Sequence, residues 1–226
     1  MPIIWHIMKI YSAHQINEFV ICLGYKGYVI KEFFANYQLH NADVCVDLAR
    51  NTIEIERSGI EPWRITLVET GENTETGGRL KRIKKYVEND EAFCLTYGDG
   101  VADVDVTAQL RFHREHGKAA TITGVRPRGR FGALELEGDA VGRFKEKPDE
   151  GEQWINGGFF VLSPSTLDLI EADKTIWERE PLETLAEREQ LACYRHTSFW
   201  QCMDTLRDCE TLRAMWAADQ APWKVW

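Results

Sequence analysis

The stretch Ala92-Phe93-Cys94-Leu95-Thr96-Tyr97-Gly98-Asp99-Gly100 decides the reading of this chain. An apolar run of strand length stops abruptly at Gly-Asp-Gly. A buried strand does not continue through those glycines, so Asp99 is predicted to sit where a strand leaves its sheet. In open α/β sheets, ligands bind at the carboxyl ends of the strands. A carboxylate held there, with small neighbours giving close access, suits a hard cation and its phosphate ligand.

Working outward, the first half alternates helix and strand patterns. Ile3, Ile4, Ile7, Met8 and Tyr11 fall on one helical face. Residues 19–23 read as a buried strand, 24–27 as a turn, and Val29, Ile30, Phe33, Phe34 and Tyr37 as a second helix. Residues 44–48 and 52–55 pair as short strands with Asn51 at the turn, and 65–68 form another strand. A helix over 80–87, the strand 93–96 and a helix over 106–116 follow. The second half changes character. Residues 119–125, 133–137, 141–146 and 159–162 look like antiparallel strands, Ser163-Pro164 is a helix start, and the last third is mostly helical apart from 192–194 and 199–203. The pattern predicts an α/β fold, with a mainly parallel sheet covered by helices on both faces, in one domain over 1–226.

Composition narrows the function classes. The 226 residues are 44% hydrophobic and 28% charged, enough for one substantial core. A net charge of −9 with no long Lys/Arg cluster disfavours nucleic acid. No apolar stretch approaches the roughly 20 residues that span a membrane. The N-terminus shows no signal peptide, and the six cysteines show no CxxC pairing, so free thiols in a cytoplasmic protein are expected. His113 and His116, one turn apart with no third ligand in view, read as surface residues.

Five clusters carry chemistry, each with a plain structural alternative. Tyr97-Gly98-Asp99-Gly100 offers a metal carboxylate or a tight turn. Thr74-Glu75-Thr76-Gly77-Gly78-Arg79 offers a close backbone approach to an anionic ligand at a helix start, or a capped loop. Glu146-Lys147-Pro148 offers a phosphate a point charge and hydroxyls an acceptor, or is an exposed strand end. Asn156-Gly157-Gly158 supplies the paired donor and acceptor that suit a sugar, or is a hairpin turn. Asp204, after Trp200-Gln201-Cys202-Met203, is a second metal carboxylate or a helix cap.

The order and wording of these segments resemble the sugar-1-phosphate nucleotidyltransferases, in particular their cytidylyl branch acting on glucose 1-phosphate. The matching segments are residues 5–9, 22–32, 76–82, 97–103, 130–134, 146–148, 156–160 and 203–208. The resemblance implies a Rossmann-like three-layer fold with a mixed, mainly parallel central sheet. It implies transfer of a cytidylyl group from CTP to glucose 1-phosphate, giving CDP-glucose and pyrophosphate for dideoxysugars of bacterial surface polysaccharides. It implies Mg²⁺ between Asp99 and Asp204, with Asp99 and Lys147 catalytic. Thr74, Thr76, Gly77, Gly78, Arg79, Tyr97 and Gly98 would contact the nucleotide. Glu146, Lys147, Asn156 and Gly157 would hold the sugar phosphate, with Lys147 on its phosphate. A homo-oligomer is also implied.

Members of that family begin with a strand, a glycine-rich loop of the form GGxGTR and a Pro-Lys-Pro segment. This sequence starts where that region ends, so the expectation is an N-terminally incomplete sequence lacking about 30 residues, the size of a βα unit. The lost strand would be central and would leave unpaired edges. Two other readings stand beside the enzyme. One is an inactive remnant that keeps a sugar-phosphate half-site or an oligomer interface. The other is a metal-dependent phosphatase with Asp99 as nucleophile, which leaves residues 76–82 and 156–160 without a role.

Overall fold

The computed structural model describes residues 1–56, 61–127, 133–137, 140–145 and 153–226. In chain order the elements are α1 (Ile3–Ala13), β1 (Glu18–Leu23), α2 (Gly27–Ala35), α3 (Tyr37–Asn41), β2 (Asp43–Asp47), β3 (Thr52–Glu56), β4 (Arg64–Glu69), α4 (Thr76–Arg82), β5 (Phe93–Thr96), β6 (Gly100–Ala102) and α5 (Val106–His116). Then come β7 (Ala120–Val125), β8 (Ala133–Glu137), β9 (Ala140–Lys145), β10 (Ile155–Leu162), α6 (Glu180–Glu187), β11 (Leu191–Arg195), β12 (Trp200–Cys202) and α7 (Leu206–Ala217). Short 3-10 turns cover Lys84–Tyr86 and Pro164–Leu169. Contacts within the chain gather into two compact units. One comprises 1–16, 90–166 and 182–226, the other 17–89 and 167–181.

The larger unit is built on a four-stranded sheet in the order β11-β7-β10-β5. β11 runs parallel to β7, whereas β10 runs antiparallel to both β7 and β5. The sheet is therefore mixed, and parallel pairing is a smaller part of it than the early helix–strand alternation suggests. The reason is local. α5 carries the chain between β5 and β7 and returns it parallel, while the β8–β9 hairpin precedes β10, which is free to run the other way. Phe159, Phe160, Val161 and Leu162 of β10 are wholly buried. Each stabilises the unit by about 1.5–3 kcal/mol relative to exposure. Beside this sheet lies a ribbon of two short antiparallel strands, β6 and β12, with Trp200 opposite Ala102 and Cys202 opposite Gly100.

The smaller unit pairs β1 with β4 in parallel, Glu18 opposite Arg64 through Leu23 opposite Glu69. The turn expected at 24–27 closes with the Gly27 amide on the Gly24 carbonyl at 2.9 Å, and Lys26 takes a φ of 55°. β2 and β3 form the expected hairpin, with Asn51 at φ 53°. Among the described residues no helix is long and apolar enough to cross a membrane.

Two sequence expectations are corrected. His113 is buried, not a surface residue, and both it and His116 bond one hydroxyl: His113 Nδ1 lies 2.9 Å and His116 Nε2 2.7 Å from Thr121 Oγ1. Burial is the first cause that lowers both imidazole pKa values. The helix starting at Ser163-Pro164 is a 3-10 turn rather than an α-helix. All six cysteines are free, as read, and burial pushes the Cys94 thiol up to about 12 and the Cys22 thiol to about 11.

Candidate active site

β5 ends at Thr96, and Tyr97 extends its pairing by one step, its amide donating to the Gly158 carbonyl at 3.0 Å. A Cβ at Gly98 would meet nothing within 4 Å. The space beside Gly98 is open, and Asp99, which follows it, lines the cleft. β6 begins immediately afterwards and carries Asp99 at its head. Asp204 stands just past the end of β12. Because the two strands are antiparallel, those two ends coincide, and the Met203 amide donates to the Asp99 carbonyl at 2.7 Å.

The carboxylates sense each other. Burial raises the Asp99 pKa above its usual range, and the negative charge of Asp204 raises it further. Two anions that line one cleft repel each other until a cation arrives. The plain structural alternative for Asp204, a helix cap, is not what the structure shows. Thr205 caps α7, its side chain accepting from the Asp208 amide while Asp208 reaches back, a complete capping box. The Cys202 thiol donates to Asp204 Oδ2 at 3.2 Å.

Asn156, Gly157 and Gly158 form the facing wall. The ladder between β10 and β7 shifts register after Asn156, and Gly158 adopts a φ of +77° that a side chain resists. Asn156 Nδ2 donates to Tyr97 Oη at 3.0 Å, and Asn156 Oδ1 accepts from the Gly158 amide at 2.8 Å. The amide therefore faces the cleft with one N–H and one lone pair still to offer. Trp200 Nε1 donates to the Gly157 carbonyl at 2.7 Å, which fixes the indole as a third wall. Together these residues enclose a cleft of about 170 Å³ that holds Tyr97, Asp99, Asn156, Gly157 and Asp204.

The donor set fits a magnesium-type ion. Mg²⁺ is usually held by one or two carboxylates plus phosphate oxygens and water, not by a closed protein cage. Asp99 and Asp204 supply two such ligands. Among the described residues no group of three or more His, Cys, Asp or Glu gathers to make a cage.

Thr74, Thr76, Gly77, Gly78 and Arg79 belong to the smaller unit. There the two glycines have an internal reason. A Cβ on Gly78 would stand 2.3 Å from the Asp173 carbonyl oxygen, and one on Gly77 would stand 2.7 Å from that of Thr175. α4 is thus seated directly on the backbone of residues 173–175, which spacing alone does not reveal. Thr76 Oγ1 donates to Glu178 Oε2 at 2.6 Å and accepts from the Trp177 amide. Arg79 Nη1 donates to the Leu23 carbonyl and to Thr70 Oγ1 at 2.7 Å. Thr74 is buried. Glu146 and Lys147 lie outside the described residues.

The sequence reading takes only Asp204 from the segment that also holds Trp200 and Cys202. The signal that marks Trp200 is an indole within a short strand leading to a carboxylate. The reading takes Gly157 as the site glycine, whereas Gly158 carries the positive φ.

The sequence pattern of the family described as nucleotidyl transferase matches residues 1–220. The chain is 56% identical to glucose-1-phosphate cytidylyltransferase of Salmonella typhi over 225 residues, covering 100% of this chain and 88% of that protein. Solved structures with the same fold include HddC from Yersinia pseudotuberculosis, with a TM-score of 0.62 at 19% identity over 92% of this chain and 82% of that one. Another is an apo UDP-glucose pyrophosphorylase, with a TM-score of 0.64 at 13% identity over 97% and 90%.

Proposed function

This chain belongs to the nucleotidyl transferase family, and we propose that its reaction is cytidylyl transfer from CTP to glucose 1-phosphate, giving CDP-glucose and pyrophosphate. The observation that carries this reading is the meeting of Asp99 and Asp204 in the cleft that also holds Asn156 and Gly157. Two carboxylates suited to a cation there stand beside groups suited to sugar hydroxyls. The 56% identity to the Salmonella typhi enzyme supports the choice of nucleotide and sugar.

A phosphate oxygen of glucose 1-phosphate attacks the α-phosphorus of CTP, and pyrophosphate leaves in line. Both reactants are anions, so the protein's task is to position them and to offset their repulsion. A bound Mg²⁺ would supply charge neutralisation and a template for the phosphates. Asp99 and Asp204 would hold that ion, and their mutual repulsion would favour its capture. Asn156 orients the hexose through its remaining N–H and lone pair, and Tyr97, locked to Asn156, keeps that amide from turning. Trp200 shields one side of the cleft from water. Lys147 contributes a point charge to the sugar phosphate, Glu146 accepts from sugar hydroxyls, and Thr74, Thr76, Gly77, Gly78, Arg79 and Gly98 contact the nucleotide. No covalent nucleophile is needed. On this reading the protein acts as a cytoplasmic homo-oligomer supplying an activated sugar for surface polysaccharide.

The test is pyrophosphate release from CTP plus glucose 1-phosphate with Mg²⁺, with UTP in parallel. Release with CTP, lost in Asp204→Ala, supports the reading. A folded chain that binds glucose 1-phosphate but releases no pyrophosphate would make it a binding protein instead.

A further inference from the structure

The two carboxylates ride on a narrow support. β6 and β12 pair over three residues each, and a ribbon of that size does not hold its own shape in water. At the cleft end it is closed by the short bond from Met203 N to Asp99 O. At the far end, about 13 Å away at the rise of an extended strand, the last rung is the Asp103 amide on the Phe199 carbonyl at 3.3 Å.

That far end carries a polar knot which the reaction does not use. Ser198 Oγ donates to Asp103 Oδ2 at 2.5 Å. His196 Nε2 lies 2.9 Å from the Phe199 carbonyl oxygen and 3.1 Å from Asp103 Oδ1. Oδ1 is buried and finds no aligned donor among the described groups. His196 is only 7% exposed, and its own amide donates to the Gly124 carbonyl of β7 at 2.9 Å. The knot thus ties both strands of the ribbon to the four-stranded sheet.

It is not a hydrolytic triad. In a triad the imidazole lies between hydroxyl and carboxylate. Here the carboxylate lies between the other two, so the Ser198 hydroxyl bonds the carboxylate and not the imidazole. A buried carboxylate oxygen without an aligned partner costs stability, and a knot of this kind needs a compensating role.

We propose that Asp103, His196 and Ser198 are positioning residues for the cation site. By clamping the far end of β6 and β12 they set the register and splay of the two strands, and with these the separation of Asp99 and Asp204. The proposal rests on the reading of those two carboxylates as the cation ligands. Supporting groups one step behind a metal ligand commonly change metal affinity tenfold or more when removed. Here the lever acts through strand geometry instead of a bond to the ligand.

The test is Mn²⁺ binding to the full chain, read from the electron paramagnetic resonance signal of free Mn²⁺, with the thermal midpoint measured alongside. Asp204→Ala is the reference and is expected to abolish binding. Asp103→Ala is expected to weaken binding about tenfold, and Ser198→Ala to weaken it by less while leaving the thermal midpoint near that of the wild type. Asp103→Asn keeps an acceptor for Ser198 and restores most of the affinity. Wild-type Mn²⁺ affinity in both Asp103→Ala and Ser198→Ala, with binding lost in Asp204→Ala, overturns the positioning role and leaves the cation site standing. Wild-type affinity in Asp204→Ala overturns both. If Asp103→Ala does not fold, Ser198→Ala and Asp103→Asn decide the matter.

Discussion

Asn156 and Tyr97 hold one another across the cleft: Asn156 Nδ2 donates to Tyr97 Oη at 3.0 Å, while Asn156 Oδ1 is tied to the Gly158 amide. Asn156 is still a rung of the ladder, opposite Gly124, and the bulge follows it directly, before the next rung of Phe160 opposite Ile122. The backbone there takes a φ of +77° at Gly158, which glycine adopts without strain.

Gly158→Ala is therefore expected to act on the site through the fold. Its φ of +77° resists a side chain, and the added Cβ would stand 2.7 Å from Tyr97 Cδ2. The two penalties together come to about 2–4 kcal/mol. Calorimetry should show the lower midpoint, and titration with glucose 1-phosphate should show weaker binding as Tyr97 leaves Asn156. An unchanged midpoint would mean the bulge relaxes freely.

Asp204 and Thr205 are adjacent, yet they should separate cleanly. Thr205→Ala removes the cap of α7 and should lower stability by about 1 kcal/mol, leaving pyrophosphate release intact. Asp204→Ala should do the reverse, abolishing release with little change in the unfolding midpoint. Pyrophosphate release that survives Asp204→Ala would remove Asp204 from the site.

Asp99 should show function held at the expense of stability. Its folded pKa lies above the ordinary 3.8, through burial and then through Asp204. The unfolded chain releases this proton first as pH rises, so the ionised group weighs against the fold above its raised pKa and not below 3.8. Asp99→Asn is accordingly expected to raise the thermal midpoint at neutral pH in the presence of a chelator while eliminating turnover. A fall in the midpoint would show that the carboxylate stabilises the fold.

Gly78→Ala tests why α4 needs its glycines. The new methyl would press on the Asp173 carbonyl, a backbone group that cannot swing aside as a flexible side chain would. A loss of about 1–3 kcal/mol is expected in chemical denaturation. Normal stability with lost CTP binding would instead mean that the glycine serves the nucleotide alone.

Acid sensitivity should come in part from His6. It sits among Trp5, Trp216, Trp223 and Trp226, and Trp223 Nε1 donates to its Nδ1 at 3.4 Å. Burial, then the nearby N-terminal charge, lowers its pKa to about 4 from 6.5. The unfolded chain takes up the proton first, so stability falls as pH drops from 6.5 toward 4. His113 and His116 act in the same direction. Urea unfolding across this range should show the slope, and His6→Phe should reduce it without removing it.

Much of the local structure was legible. α5 covers 106–116 as read, because its ends are written beside it: Asp105 accepts from the Ala108 amide at 2.8 Å, and Gly117 closes the helix at φ 67°. The β2–β3 hairpin and the end of β5 were legible for similar reasons. The sequence pattern starts α4 at 80 and not at Thr76, because Gly77-Gly78 are poor helix formers held in place by residues 173–175. It starts β10 at 159 and not at Ile155, since a bulge breaks the alternation on which strand reading depends. Spacing alone puts His113 on the surface because its partner Thr121 lies on the next strand.

By itself the sequence determined where strands stop, where helices are capped, and which carboxylates, amides and glycines stand at those ends. These are properties of a few neighbouring residues, set by backbone sterics and local hydrogen bonds. Only the tertiary structure decided that Asp99 and Asp204 share one mouth, that Asn156 is locked to Tyr97, and that Asp103, His196 and Ser198 tie off the far end of the same ribbon. Those meetings depend on the register of β6 against β12 and of β10 against β5. Register is a long-range choice, made by the burial of whole faces and invisible in any one stretch of chain.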